Sequence, residues 1–576
     1  MLAPRRKAAA SCGAVALLTG SLVSAVAIAG PAAASGAAGV VYTWGSNDMG
    51  ELDNGTVLTP NYVPAQAHHL AGITATAVAG GYEDSLMLTS TGAIYGWGDD
   101  DFGELGDGVS STTTHVPVRT SLPAGVIATA IAAGDYTSLA LASTGAVYAW
   151  GDNDEGGLGN GTMTSSDVPV QVSLPAGVTA TAISAADMDG FALTSTGAIY
   201  AWGNNALGQL GNGTTTTTDV PVLVSLPAGV TAIAIAAAQD HTLAITSTGA
   251  VYAWGDNSNG QLGDGTTTNR AAPVLVGLPA GVRAVSVAGG QWHSVAATST
   301  GKVYSWGDNS VGEVGDGTFT ERHAPVLSSL PAGVTVTAVS AGYVYSLART
   351  STGSAYGWGN NEYGQLGNGT TDVYNDVPLQ VSFPAGVTAA SVVAGQYHTL
   401  AVTPSAPVVT AVAPTSGSTA GGTPVTVSGN GFTGATKVLF GSKVATSLVV
   451  VSNTKLTVVS PSHSAGAINV RVVTPAGETG VVAADQFTYR AAPRVSGVSP
   501  TSGPRAGGTS VTVTGSGFTG ATQVLFGSKV ATSLVVVSDT QLTVTSPAHS
   551  VGAIDVRVIA PAGKSSAVTA DQFTYQ

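Results

Sequence analysis

After residue 35 the chain alternates apolar and polar positions in short runs broken by Gly, Pro, Asn and Asp. Residues 241–266 show the unit: HTLAITSTGAVYAWGDNSNGQLGDGT. Two alternating runs flank Ser247-Thr248-Gly249, and a Trp-Gly and an Asn/Gly-rich loop follow. Period-two alternation predicts strands. A three-residue loop with Gly at its end predicts a hairpin, because Gly supplies the positive φ. In the fifth copy the pattern places strands at Val220–Val224, Thr231–Ala236, His241–Thr246 and Ala250–Trp254, with Leu226-Pro-Ala-Gly-Val230 as a turn between the first two.

The unit recurs. Its tryptophans are Trp44, Trp97, Trp150, Trp202, Trp254, Trp306 and Trp358, spaced by 52 or 53 residues. A constant period means a repeat architecture. Four strands repeated seven times predict a β-propeller, where radial repetition leaves few open sheet edges. The first copy starts at Val40-Val-Tyr-Thr-Trp44 without a preceding hairpin partner. The last ends at Tyr397-His-Thr-Leu-Ala-Val402 without a following Val-Tyr-x-Trp. Each is the half the other lacks, so their pairing is expected to close the ring.

Residues 407–489 and 493–575 are a second repeat. Gly431–Ser452 and Gly517–Ser538 differ only at Lys437 against Gln523. Each unit opens on Pro-Thr-Ser-Gly and closes on Phe-Thr-Tyr, and about 85 residues of alternating strands read as a β-sandwich. The fold class is therefore all-β: a seven-bladed propeller plus two tandem immunoglobulin-like sandwiches. The expected domains are 1–34, 35–403, 404–490 and 491–576.

Residues 1–34 carry Arg5-Arg-Lys7, an apolar run from Ala14 to Ala29 and Ala32-Ala-Ala34. This is the pattern of a cleaved export signal, and the run is short for a membrane span. The single cysteine, Cys12, falls inside it, so a mature chain would have no disulfide, thiol nucleophile or Cys-based metal site. A secreted setting, on or near the cell wall, is expected, with no membrane span in the mature chain and a monomeric state.

Charge changes the picture next. Residues 35–403 hold six basic and 28 acidic side chains, whereas residues 404–576 hold ten basic and five acidic. A propeller at −22 should repel nucleic-acid phosphates, so no nucleic-acid partner is expected. Seventeen of those 28 acids sit in the loops after Trp-Gly, which predicts a strongly negative rim. Asp99-Asp-Asp101 with Asp107 offers clustered oxygens of the kind Ca²⁺ takes. Asp and Asn are also ordinary turn formers, however, and no loop has EF-hand spacing. No metal and no cofactor are expected.

The motif Val-Tyr-x-Trp-Gly-x-Asn-x-x-Gly-Gln-Leu-Gly-x-Gly, joined to Ala-Gly-x-x-His-Ser/Thr-Leu-Ala-Leu-Thr, resembles the regulator-of-chromosome-condensation repeat over residues 40–403. That family forms seven-bladed propellers. The C-terminal pair resembles IPT/TIG immunoglobulin-like domains. The resemblance also implies nucleotide exchange on a nuclear GTPase and chromatin binding. The export segment and the acidic propeller argue against both here, and a fold does not carry a function with it.

His-Glu-x-x-His and Gly-x-Ser-x-Gly are absent, and Gly563-Lys-Ser565 lacks the first Gly of a phosphate loop. An enzyme using axial carboxylates such as those of Asp84 and Asp189 ranks last. Comparing copies locates the variable positions instead. The residue before the third strand is Asp84, Thr137, Asp189, His241, His293, Tyr345 or His398. The histidines read as hydrogen-bonding scaffold. The aromatics in and beside these positions, Tyr82, Tyr136, Trp292, Tyr343, Tyr345 and Tyr397, read as partner-binding, since aromatic anchors on loops make hot spots. The leading function is a non-catalytic extracellular binding protein whose propeller face recognises a protein or a cell-wall glycan. The sandwich domains would act as spacer or envelope contact. The alternative is a secreted propeller-type inhibitor of an enzyme such as a β-lactamase.

Overall fold

The computed structural model describes residues 39–576 except 71–72, 111–112, 405, 433 and 475–476. The export segment expected at 1–34 lies outside the described residues. The chain divides into two compact units, Met1–Pro404 and Ser405–Gln576. No helix among the described residues is long and apolar enough to cross a membrane.

The first unit holds seven four-stranded antiparallel sheets. We letter the blades A to G by the order of their innermost strands. Blade D shows the pattern: Ala232–Ala237 innermost, then His241–Thr246, Val251–Gly255 and Arg270–Leu275 outermost. The inner strand is built of small residues because seven such strands crowd one axis. The outer strand is half-exposed. Gly249 closes the hairpin at φ +81°, the conformation for which the Ser-Thr-Gly loop selects glycine.

The blade differs from the sequence expectation in one respect. The strand at 218–223 does not join 232–237; it pairs with the third strand of the preceding blade, Tyr200 facing Leu223. Leu-Pro-Ala-Gly-Val therefore links blades and carries the chain from the rim of one to the axis of the next. Its turn is nevertheless Pro-initiated, Val230 N donating to Pro227 O at 3.0 Å.

Blade G closes the ring as the two half-copies suggested. Ser391–Ala394 and His398–Val402 come from the end of the unit, while Val41–Gly45 and Asn61–Gln66 come from its start. The joining register runs from Val41↔Val402 to Gly45↔His398.

Blade-to-blade packing rests on the period tryptophans, all seven with no exposed surface. Trp254 packs against Phe191, Leu193, Ile199 and Leu210 of blade C. A side chain of this size buries about 200 Å², worth about 5 kcal/mol before the entropy of ordering it. Its Nε1 donates to Gln209 O at 2.8 Å. Trp97, Trp150, Trp202, Trp306, Trp358 and Trp44 make the same bond, to the carbonyls of Glu51, Glu104, Gly157, Gln261, Glu313 and Gln365. The indole fills the inter-blade core while its one donor is satisfied by the neighbour's loop.

The second unit contains two sandwiches of the same design. In the first, strands 408–413, 424–430, 455–459 and 446–452 form one sheet, and the other is built around Gly466–Thr474 and Gln486–Arg490. Phe432, Phe440, Leu456, Phe487 and Tyr489 fill its core. Phe518, Phe526, Leu542, Phe573 and Tyr575 do so in the second.

Candidate partner-binding face

Each blade turns from its innermost strand to its second strand through a tight loop beside the axis. The seven loops form a collar: Gly81-Tyr82-Glu83, Gly134-Asp135-Tyr136, Asp187-Met188, Ala238-Gln239-Asp240, Gly290-Gln291-Trp292, Gly342-Tyr343-Val344 and Gly395-Gln396-Tyr397. Backbone bonds stitch neighbouring loops together. Gln291 N donates to Tyr343 O at 3.0 Å, Tyr343 N to Gln396 O at 3.2 Å and Gln396 N to Gly81 O at 3.1 Å. The fit explains glycine at the head of most of these loops. A Cβ on Gly342 would lie 2.0 Å from the Tyr345 ring and 2.5 Å from Gly395 O.

Five of the six aromatic candidates stand half-buried on this collar: Tyr82, Tyr136, Trp292, Tyr343 and Tyr397. Trp292 and Tyr343 have ring centroids 6.1 Å apart, Tyr343 and Tyr397 5.5 Å, and Tyr82 and Tyr136 5.8 Å. Burial raises the Tyr397 phenol above its ordinary value, and the phenols of Tyr343, Tyr363 and Tyr82 raise it further. The two aromatic groups lie on adjoining loops of blades G and A, which the Gln396 N to Gly81 O bond joins.

Tyr345 is not part of it. Its side chain is fully buried, and its hydroxyl donates to His398 O at 2.6 Å beside Thr399 Oγ1 at 3.1 Å. It replaces the scaffold histidine of other blades and ties blade F to blade G. A hot-spot role for Tyr345 is thereby corrected. The histidines do the same job. His241 Nε2 meets Ser294 Oγ at 2.8 Å, His293 Nε2 meets Ser346 Oγ at 2.9 Å and His398 Nε2 meets Ser85 Oγ at 3.0 Å, each in the next blade. Burial holds all three imidazoles down to about 3, so they are neutral.

Asp84 and Asp189 occupy the same position in blades A and C. They are 2% and 1% exposed, and burial drives both well above the ordinary carboxylate range. They sit beneath the collar, not on it.

Sequence comparison overlooked two aromatics and the acids of the collar itself. Phe102 packs on Tyr136 at 5.3 Å and Tyr363 on Tyr397 at 5.2 Å. Both stand five residues after the period tryptophan, a position filled by Met49, Glu155, Leu207, Asn259 and Val311 in the other copies. Its variability was the available signal. The carboxylates are Glu83, Asp135, Asp187 and Asp240. Burial, with each other's charge, pushes Asp187 up to about 7; burial, with Asp256, pushes Asp240 up to about 6. The outer rim, in contrast, is less negative than its composition predicts. Glu51, Glu104, Glu313 and Asp100 turn inward, and burial raises them to about 7 or 8. Among the described residues no three metal-ligating side chains converge.

The RCC1-like domain model matches residues 7–342 and 126–411, in overlapping stretches that together span more than half of the chain. The chain belongs to the RCC1-like domain family. IPT/TIG domains match at 407–489 and 493–575. The human E3 ubiquitin-protein ligase HERC2 is 32% identical over 367 residues, 63% of this chain but only 8% of the ligase. The Arabidopsis thaliana ultraviolet-B receptor UVR8 is 32% identical over 332 residues, 57% of this chain and 75% of the receptor. The crystal structure of Prp20p from Saccharomyces cerevisiae superposes with a TM-score of 0.57 at 23% identity, covering 64% of this chain and 92% of Prp20p. A ligase and a photoreceptor thus share the RCC1-like scaffold without sharing an activity. What the RCC1-like and TIG modules have in common is a binding and interaction role.

Proposed function

We propose that this RCC1-like protein is an exported, non-catalytic recognition protein whose collar face binds a protein partner or a wall glycan. The TIG sandwiches serve as spacer or envelope contact. One observation carries the reading. Five half-buried aromatic side chains from five consecutive blades line one arc of the collar, in two groups of ring contacts, and backbone hydrogen bonds join the loops of blades E, F, G and A. Rigid aromatic side chains lose little entropy on binding and make the usual anchors of interfaces. The export pattern in residues 1–34 and the excess of basic groups after residue 404 support the extracellular setting. Asp84 and Asp189, the candidates for catalysis, are buried and biased toward their neutral form.

The test is affinity capture from secreted and surface extracts with the full chain as bait, beside a Trp292→Ala, Tyr397→Ala variant. A saturable partner lost with the variant is expected. Capture that ignores the variant, together with no sedimentation of the chain on washed envelopes at low salt, overturns the reading.

A further inference from the structure

We propose that the collar receives a cationic side chain, the guanidinium of a partner protein's arginine, held between the aromatic arc and the carboxylates facing it. The inference rests on the recognition role proposed above and names the chemistry of its ligand.

The collar has two unlike halves. Blades E, F, G, A and B supply Trp292, Tyr343, Tyr397, Tyr82 and Tyr136. Blades B, C and D supply Asp135, Asp187 and Asp240. Because the seven loops ring one axis, the two halves lie on opposite sides of it. Burial raises the Tyr343 phenol, a side-chain hydrogen bond with Gln291 opposes this, and Asp135 and Asp240 add to it. Asp135 stands three blades away, the far side of a seven-membered ring.

This surface is rich in electrons and carries no cationic side chain of its own. None of the seven loops contains Lys, Arg or His. The propeller's own cations are engaged elsewhere: Arg270 with Asp264, Arg322 with Asp316, Arg283 on Thr248 O and Arg349 on Ala389 O. Lys302 lies in a Ser-Thr-Gly hairpin, at the opposite end of the blade, and Arg119 on an outer strand. Three acceptors are left without a donor at the collar: Asp187 Oδ1, Gln291 Oε1 and Gln396 Oε1. Gln291 and Gln396 are only 6% and 2% exposed, where an unmade hydrogen bond is costly.

Spread acceptors beside aromatic faces suit a planar, multi-donor cation. Guanidinium stacks on aromatic rings and offers five N–H donors, and it is more weakly hydrated than ammonium. A single metal ion fits less well, since no three ligating side chains converge among the described residues.

The experiment titrates the full chain with a Gly/Ser nonapeptide carrying three arginines and a neutral fluorophore. Counterparts have lysine or citrulline instead. Saturable binding is expected for arginine, several-fold weaker for lysine and lost for citrulline, which keeps the shape without the charge. Asp187→Asn with Asp240→Asn, and separately Trp292→Ala with Tyr343→Ala, should each weaken the arginine peptide by about tenfold. Asp167→Asn with Asp219→Asn, on outer strands, should leave it unchanged. Thermal denaturation of each variant confirms that it is folded. Equal binding of citrulline, or an equal loss in the outer-strand variant, overturns the proposal. A captured partner that needs Trp292 but ignores the Asp187→Asn, Asp240→Asn pair overturns the cation assignment and leaves the recognition role standing. Absence of any collar-dependent capture overturns that role instead.

Discussion

The indole Nε1 of Trp44 donates to the carbonyl of Gln365 at 2.9 Å, across 321 positions of chain. The other six period tryptophans make this bond over 45 or 46 positions. The same local chemistry therefore serves two ends. Between consecutive copies it joins blades, and at Trp44 it locks the ring.

Trp44→Phe keeps most of the apolar volume and removes the donor. Gln365 O still accepts Thr399 Oγ1 at 2.9 Å, so the loss is one hydrogen bond and a small cavity, about 1–2 kcal/mol. Denaturant unfolding of the full chain measures it. Hydrogen exchange should quicken in 41–45 and 398–402 together, because each strand holds the other. Protection unchanged in both segments would show that the closing bond adds nothing.

The residue whose carbonyl receives the indole is Gln in three copies, Glu in three and Gly157 in one. Gln261 accepts from Asn259 N at 2.9 Å and donates Nε2 to Asp256 Oδ2 at 2.8 Å. Glu104 accepts from Phe102 N at 2.9 Å but faces Asp99 as a second acid. Burial first, and that charge after it, raise Glu104 to about 8. Glu104→Gln preserves the acceptor and supplies the missing donor. It should stabilise the propeller at pH 8 by on the order of 1–3 kcal/mol, read as a rise in Tm. A fall in Tm would mean the carboxyl makes a contact that a carboxamide cannot.

These groups also set the response to pH. Glu51, Glu104 and Glu313 titrate near 7 or 8 when folded and near 4.5 when unfolded. Across that window the folded state keeps protons that the unfolded state has lost, so stability rises as pH falls. His241, His293 and His398 act in the other direction. They titrate near 3 when folded and near 6.5 when unfolded, and their contribution is full above 6.5 and declines below it. The unfolding midpoint should climb from pH 8 to about 6.5, level off, and fall once the carboxylates stop contributing below about 4.5. Thermal scans across this range check it. A midpoint that drops steadily from pH 8 to 6.5 would contradict the buried carboxyls.

The fold was legible because its determinants are local and repeated. Trp, the Ser-Thr-Gly hairpin and the two half-copies each state a geometric requirement in a few residues. The outer strand was assigned to the wrong blade because alternation marks a strand without naming its partner. The site was half legible. A ring position shows in sequence as variation at one place in each repeat, which found Trp292 and Tyr397. It could not show that Phe102, from the loop after Trp97, reaches Tyr136 of the next blade. Nor does residue type reveal depth. Tyr343 and Tyr345 differ by two positions, and in a strand entry that places one at the collar and the other in the core.

That pair gives the sharpest separation of scaffold from site. Tyr345→Phe removes a hydroxyl that donates to His398 O at 2.6 Å inside the F–G junction. It leaves the collar surface untouched. Stability should drop by about 1–2 kcal/mol, while affinity for a captured partner stays within about twofold. Trp292→Ala should do the reverse. The ring is partly buried and, among the described residues, lies against Tyr343 alone of the other aromatics, so its loss costs less folding energy than that of a core side chain. As the one indole of the arc it should cost at least tenfold in affinity. Denaturation and binding measured on both variants decide the matter. If Tyr345→Phe weakens binding as much as Trp292→Ala does, the collar is held in shape by the F–G junction, and its aromatics alone do not define the site.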